Sequence, residues 1–210
     1  MDIYLKKEKR NAGRSGLVNG IVLGSALIML SLTGFSKDYK VDTKASTIEW
    51  VAKKVTGQHS GTISFGASTL NVEKKKISGG ALTVDMTTIA DTDLGTSPMN
   101  AKLVGHLKSD DFFGVEKFPV STLALKKVEA KSGTVYHFTA DLTIKGTTSP
   151  IEFDAEVVET SGQLTATGVM TINRAKFNIK YGSGSFFEGL GENLIYDDFT
   201  LNFKLVATNN

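Results

Sequence analysis

The side chains able to do chemistry are few, and their spacing is poor for catalysis. The chain has three histidines, His59, His106 and His137, and no cysteine. None of the three stands in an H-x-H or H-E-x-x-H arrangement, so no metal-ligand motif is present and no cofactor is implied. His137 alternates outward beside Phe138 and reads as a surface residue. His59 lies in a turn-like Gly-Gln-His-Ser-Gly stretch without a partner nearby in the chain. His106 precedes Leu107 and Ser109-Asp110-Asp111, where a donor suits a helix end or the mouth of a pocket. The carboxylate pairs Asp110/Asp111, Glu152/Asp154 and Asp197/Asp198 do not converge on one bond. Neighbouring strand residues face opposite ways, and Glu152 with Asp154 shares a solvent face. The chain has no G-x-S-x-G elbow and no phosphate-binding loop. The glycine-rich run from Tyr181 to Gly191 departs from G-x-G-x-x-G, with Phe187 in the third glycine position. It reads as a loop whose Phe186, Phe187 and Leu190 fold back over an opening. These features point to a protein that binds rather than catalyses.

The elements that would carry these residues are strands. Apolar and polar residues alternate in Ile48–Ala52, Ile63–Phe65, Leu82–Met86, Leu123–Leu125, Tyr136–Ile144, Ile151–Val157, Leu164–Ile172 and Phe199–Leu205. A period of two buries one face and wets the other. Gly79-Gly80, Lys131-Ser132-Gly133, Lys145-Gly146 and Ser161-Gly162 read as turns, at a spacing that suits antiparallel hairpins. One stretch differs: Ser97-Pro98 followed by Met99, Leu103 and Leu107 predicts a single helix over 98–108, with serine as N-cap and proline at its first position. The fold class is all-β, an antiparallel up-and-down barrel of about eight strands, with the helix across one mouth. Closure would remove the edges of so many long strands.

The inward phase of these strands mixes small with large residues. Ala52, Ala140, Ala155, Ala166 and Gly168 face Trp50, Phe65, Met86, Phe138, Phe153, Met170 and Phe203. An eight-stranded interior either fills with side chains or holds one ligand, and composition leaves both open. If hollow, it would suit a hydrocarbon tail, at about 0.8 kcal/mol per buried methylene.

Charge and length narrow the partners. The formal charge is +2 over 210 residues, but Lys6, Lys7, Lys9, Arg10 and Arg14 against Asp2 and Glu8 concentrate it near the start. The rest is close to neutral, which gives no footing for nucleic acid. The basic start followed by an apolar Ile21–Leu32 core, short for a membrane span, reads as a signal peptide over 1–36, with an uncleaved N-terminal anchor as the alternative. Residues 37–210 form the expected barrel domain, periplasmic or secreted. Membrane contact would be transient, for ligand exchange, and the protein a monomer or homodimer.

Several motifs together resemble the YceI-like family of periplasmic lipid- or polyisoprenoid-binding proteins. They are Tyr39–Asp42 with Ser46–Trp50, Gly105–Pro119, Asp141–Pro150, Ile172–Phe177 and Asp197–Leu201. The middle stretch, His106-Leu-Lys-Ser-Asp-Asp-Phe-Phe-Gly-Val-Glu-Lys-Phe-Pro119, is the most specific, with Gly114 where the family commonly has aspartate. Asp198 likewise replaces a usual glutamate. The resemblance implies a lipocalin-like barrel holding a polyisoprenoid, an isoprenoid quinone or a fatty-acid derivative. It adds Phe112 and Phe113 to the wall read from the strands, helix and loop, so the expected apolar wall is Trp50, Phe65, Met86, Leu103, Leu107, Phe112, Phe113, Phe138, Phe153, Met170, Phe177, Phe186, Phe187 and Phe203. His106 and Arg174 are candidates for the mouth or a head group. Arg174 stands in an apolar strand, so it must pair with a carboxylate or meet a head group. The competing function is a filled structural or stress-associated barrel acting through a protein partner.

Overall fold

The structure, a computed structural model, describes residues 36–209. The signal-peptide expectation therefore falls almost wholly outside the described residues. Ten strands and one helix follow in chain order: β1 Lys37–Val41, β2 Thr47–Lys54, β3 Gly57–Phe65, β4 Thr69–Glu73, β5 Lys76–Asp91, α1 Pro98–Lys108, β6 Val120–Ser132, β7 Val135–Ile144, β8 Thr147–Thr160, β9 Gln163–Asn173 and β10 Ile195–Thr208.

All ladders are antiparallel, and they close into a barrel in which β5 pairs with β6 and β10 with β2. Eight staves result because β1 continues into β2 and β3 into β4. The pairs β2/β3 and β1/β4 occupy successive heights of the same gap between β10 and β5. The break after β1 is a built turn: Asp42 Oδ1 accepts from the Lys44 and Ala45 N–H, and the Ser46 hydroxyl bonds both ways with Val206 of β10. Tyr39, Leu70, Val72, Ile77, Leu164 and Leu205 are buried at this end and form its apolar base.

Helix α1 has the predicted bounds. Ser97 caps it by accepting from Met99 N at 3.2 Å, and Pro98 opens it where no intrahelical N–H partner is needed. It crosses the opposite end, which also carries the β2–β3 hairpin and the long loop after β9.

One turn expectation fails. Gly79 and Gly80 lie inside β5, and the reversal is at Lys74 and Lys75, whose φ angles of 50° and 66° make a tight hairpin turn. Gly80 serves a close approach instead: at φ 133°, a Cβ there would sit 2.5 Å from Thr69 O. The β1 and β4 strands, each only five residues long, are too short for alternation to mark them.

Gly61 makes the tightest approach. A Cβ on it would stand 2.6 Å from Trp50 Cζ2 and closer still to Ala90 O. Trp50 Nε1 donates to that same Ala90 carbonyl at 3.1 Å, so the indole has nowhere to retreat. Gly61→Ala is expected to cost about 2–3 kcal/mol, read by urea denaturation; an unchanged midpoint would show that the wall yields.

Candidate functional site

Two adjoining hollows of about 80 and 120 Å³ run inside the barrel. They share Ile48, Val84, Ser121, Leu142, Ile172 and Leu201. The interior is therefore not plugged by its own side chains.

The deeper hollow reaches the apolar base at Leu70, Ile77 and Leu205 and is walled by Phe65, Phe138, Phe153, Met170 and Phe203. Phe138 and Phe153 stack 5.1 Å apart, and Phe203 meets Phe153 edge-on at 6.0 Å. Two small residues make the space: Ala155 and Ala166 line it, whereas the room beside Gly168 is taken by the Phe203 ring, which a Cβ there would meet at 2.8 Å. The upper hollow lies under α1, walled by Trp50, Met86, Leu107, Phe112 and Phe113, with Arg174 among its lining residues. Polar side chains are scarce around both, and Ser121 at their junction is itself buried. Such a space favours hydrocarbon.

Ten of the fourteen expected wall residues thus line the hollows. Leu103, Phe177, Phe186 and Phe187 do not. Leu103 is half-buried on the helix. Phe177 is buried, but in the 3-10 turn Arg174–Phe177, packed with Ile172 and Ile179. Phe186 and Phe187 are 40% and 50% exposed, so they do not fold back over the opening. The loop is tied down by other residues: Ser183 is fully buried, and the Ser185 hydroxyl donates to Asp197 at 2.6 Å. That anchoring turns the two phenylalanines outward, with Phe186 under the Lys180 ammonium and Phe187 beside Leu190 in an open rim groove.

His106 does not touch the hollows. Its ring packs edge-on against Phe112 and Tyr181, with Nε2 3.5 Å from Asp111, while its carbonyl accepts from Ser109 to end the helix. The Arg174 guanidinium is buried and nearly saturated. Nε donates to Tyr196 O, Nη1 to Ile179 O and Tyr181 O, and Nη2 to Ile195 O, with Asp197 3.3 Å from Nη2. Burial lowers its pKa and Asp197 opposes that. His137 is half-buried on the outer face, 2.8 Å from Asp154, whose carboxyl is held below the usual range by Lys131 and by His137 itself.

The structure also brings together residues that no motif linked. His59 on β3, Asp91 at the end of β5 and Asp93 just beyond it converge on the helix-end rim. Burial pushes the Asp91 carboxyl above the usual range, against the Leu94 N–H that favours its ionised form.

The wall has a seam between β8 and β9 toward the helix end, besides the short β5–β6 ladder toward the base. β8 pairs with β9 only from Ala155↔Gly168 down to Thr160↔Gln163, although both strands continue upward. Above that point β8 holds only β7, β9 holds only β10, and the 3-10 turn packs against β8. Phe153 and Met170, both half-buried, flank the seam and line the deeper hollow. Pro150 lies on this stretch of β8, where a missing N–H is tolerated.

The YceI-like domain matches residues 39–207. A UPF0312 protein of Enterobacter sp. (strain 638) is 30% identical over 145 residues, covering 66% of this chain and 70% of that one. One from Staphylococcus aureus (strain bovine RF122 / ET3-1) is 40% identical over 83 residues, 36% of this chain, and the match spans only 46% of that relative. Among solved structures, Burkholderia cenocepacia BcnA superposes with a TM-score of 0.65 at 24% identity, covering 80% of this chain and 99% of BcnA. A domain of Saccharophagus degradans described as polyisoprenoid-binding gives 0.60 at 15% identity, covering 82% and 98%. At these identities the two structures speak to the fold alone.

Proposed function

The chain belongs to the YceI-like domain family, and from that premise we propose that it binds and carries or sequesters a long-chain amphiphilic lipid inside its barrel, without catalysing a reaction on it. The ligand class is a polyisoprenoid, an isoprenoid quinone or a fatty-acid derivative. The observation that carries the reading is the pair of contiguous carbon-lined hollows, of about 80 and 120 Å³. A tail threaded through them leaves water for a dry apolar wall, at about 0.8 kcal/mol for each methylene buried. The description of the Saccharophagus degradans domain as polyisoprenoid-binding supports the same ligand chemistry. The unpaired stretch between β8 and β9 supplies a lateral route to the deeper hollow without opening the base. A filled structural barrel fits less well, because alanine at 155 and 166 leaves space open along the wall. Export through residues 1–36 would place the carrier in the periplasm, touching membranes only while loading or unloading.

The test is extraction of the purified protein with organic solvent followed by mass spectrometry. A long-chain species is expected, in an amount comparable to the protein. Finding none, together with no binding of a fluorescent acyl or prenyl probe, removes the carrier reading.

A further inference from the structure

We propose that His59, Asp91 and Asp93 form a binding site for one divalent transition-metal ion on the helix-end rim, outside the lipid hollow. The three candidate ligand atoms lie within 4.8 Å of one another. His59 Nδ1 stands 3.0 Å from Asp93 Oδ2 and 4.0 Å from Asp91 Oδ2. Ligand atoms about 2.0–2.2 Å from a tetrahedral ion are separated by about 3.3–3.6 Å, so seating one opens the closest pair by a few tenths of an ångström and draws the wider pairs in by up to about 1 Å.

The observation that lifts this group above an ordinary surface cluster is Asp91. Its side chain is fully shielded from solvent, yet Oδ2 has no hydrogen-bond partner among the described residues. A buried carboxylate oxygen left without a partner is costly, and a cation removes the cost. The remaining oxygens are already held. Asp91 Oδ1 accepts from Leu94 N at 2.9 Å and from Asn100 Nδ2 at 3.3 Å, and Asp93 Oδ1 accepts from Ser60 N at 2.7 Å. Each carboxylate is thereby oriented by a backbone N–H and keeps its other oxygen for the shared point, as outer-shell bonds do at metal sites. Two carboxylates facing one imidazole also leave net negative charge there. One nitrogen and two oxygen ligands suit Zn²⁺, Co²⁺ or Ni²⁺ better than Mg²⁺ or Ca²⁺, which favour oxygen shells. Partial exposure of His59 and Asp93 leaves solvent to complete the coordination.

Occupancy would tie together parts of the mouth that are otherwise joined loosely. His59 belongs to β3, Asp91 ends β5, and Asn100 in the first turn of α1 bonds the Asp91 side chain, the Asp91 carbonyl and the Gly95 carbonyl. The ion would fasten the start of the helix to the strand ends. None of this depends on a lipid being carried.

The test is calorimetric titration of the untagged, metal-stripped protein with ZnCl₂, with Co²⁺ absorption as the spectroscopic readout. Saturable binding of one Zn²⁺ per chain is expected, unaffected by millimolar Mg²⁺. His59→Ala and Asp91→Asn should each weaken it by at least about tenfold, while His137→Ala, at the other carboxylate-flanked histidine, leaves it unchanged. If Asp91→Asn fails to fold, as judged by circular dichroism, His59→Ala and Asp93→Asn decide. No saturable binding in the parent protein, or binding undiminished by His59→Ala, overturns the site. The orphaned oxygen would then belong to a carboxyl sharing a proton with Asp93.

Discussion

Replacing Ala166 with phenylalanine is expected to abolish lipid binding while leaving the barrel folded. Ala166 is buried on β9 between Val157 of β8 and Leu205 of β10, and it lines the deeper hollow. A phenyl ring grown from this position occupies the space offered to a tail. Excluding about five methylenes forfeits about 4 kcal/mol, close to three orders of magnitude in Kd. Overpacking carries a stability cost of about 1–3 kcal/mol, reduced because the ring enters an existing void. Thr167→Phe, on the opposite face of the same strand, is the control and should bind as the parent does. Displacement of a fluorescent acyl probe, with denaturation midpoints alongside, checks both statements. A phenylalanine variant that binds as tightly as the parent places the tail elsewhere.

Arg174→Ala is expected to be the most destabilising single change, at about 3–5 kcal/mol. Four guanidinium N–H groups satisfy carbonyls of the segments Ile179–Tyr181 and Ile195–Tyr196, and Asp197, only 14% exposed, faces the same head. Truncation strands all of these at once, in a region where water cannot replace each donor. For a domain of this size the loss corresponds to a fall in Tm of about 10 °C. Arg174→Met combined with Asp197→Leu should recover part of it, since no charge is then left alone. An Arg174→Ala protein that melts with the parent but loses lipid affinity would instead assign the guanidinium to a head group.

Much of the barrel was legible because its signal is local. Alternation through Tyr136–Ile144 or Leu164–Ile172 needs only the period of a pleated strand, and Ser97-Pro98 marks a helix start by rules confined to a few residues. The misreadings have equally physical causes. Gly79-Gly80 resembles a turn, yet Gly80 serves the approach of β4, which composition cannot distinguish from reversal. Phe186 and Phe187 look like a hydrophobic flap, but their direction depends on which neighbouring residues are buried.

By itself the sequence determined the class: an all-β chain with one capped helix, inward rows mixing alanine with aromatics, and motifs of the YceI-like family. Only the tertiary structure decided whether that interior was filled or hollow, since summed side-chain volume has to be compared with a space set by barrel closure. It also decided the fate of Arg174, whose partners lie on segments 5 to 23 residues further along the chain. The same holds for His59, which meets Asp93 across 34 residues because β3 and β5 lie side by side in the sheet. Periodicity reports which way a side chain points; what it meets there depends on strand register around the whole barrel.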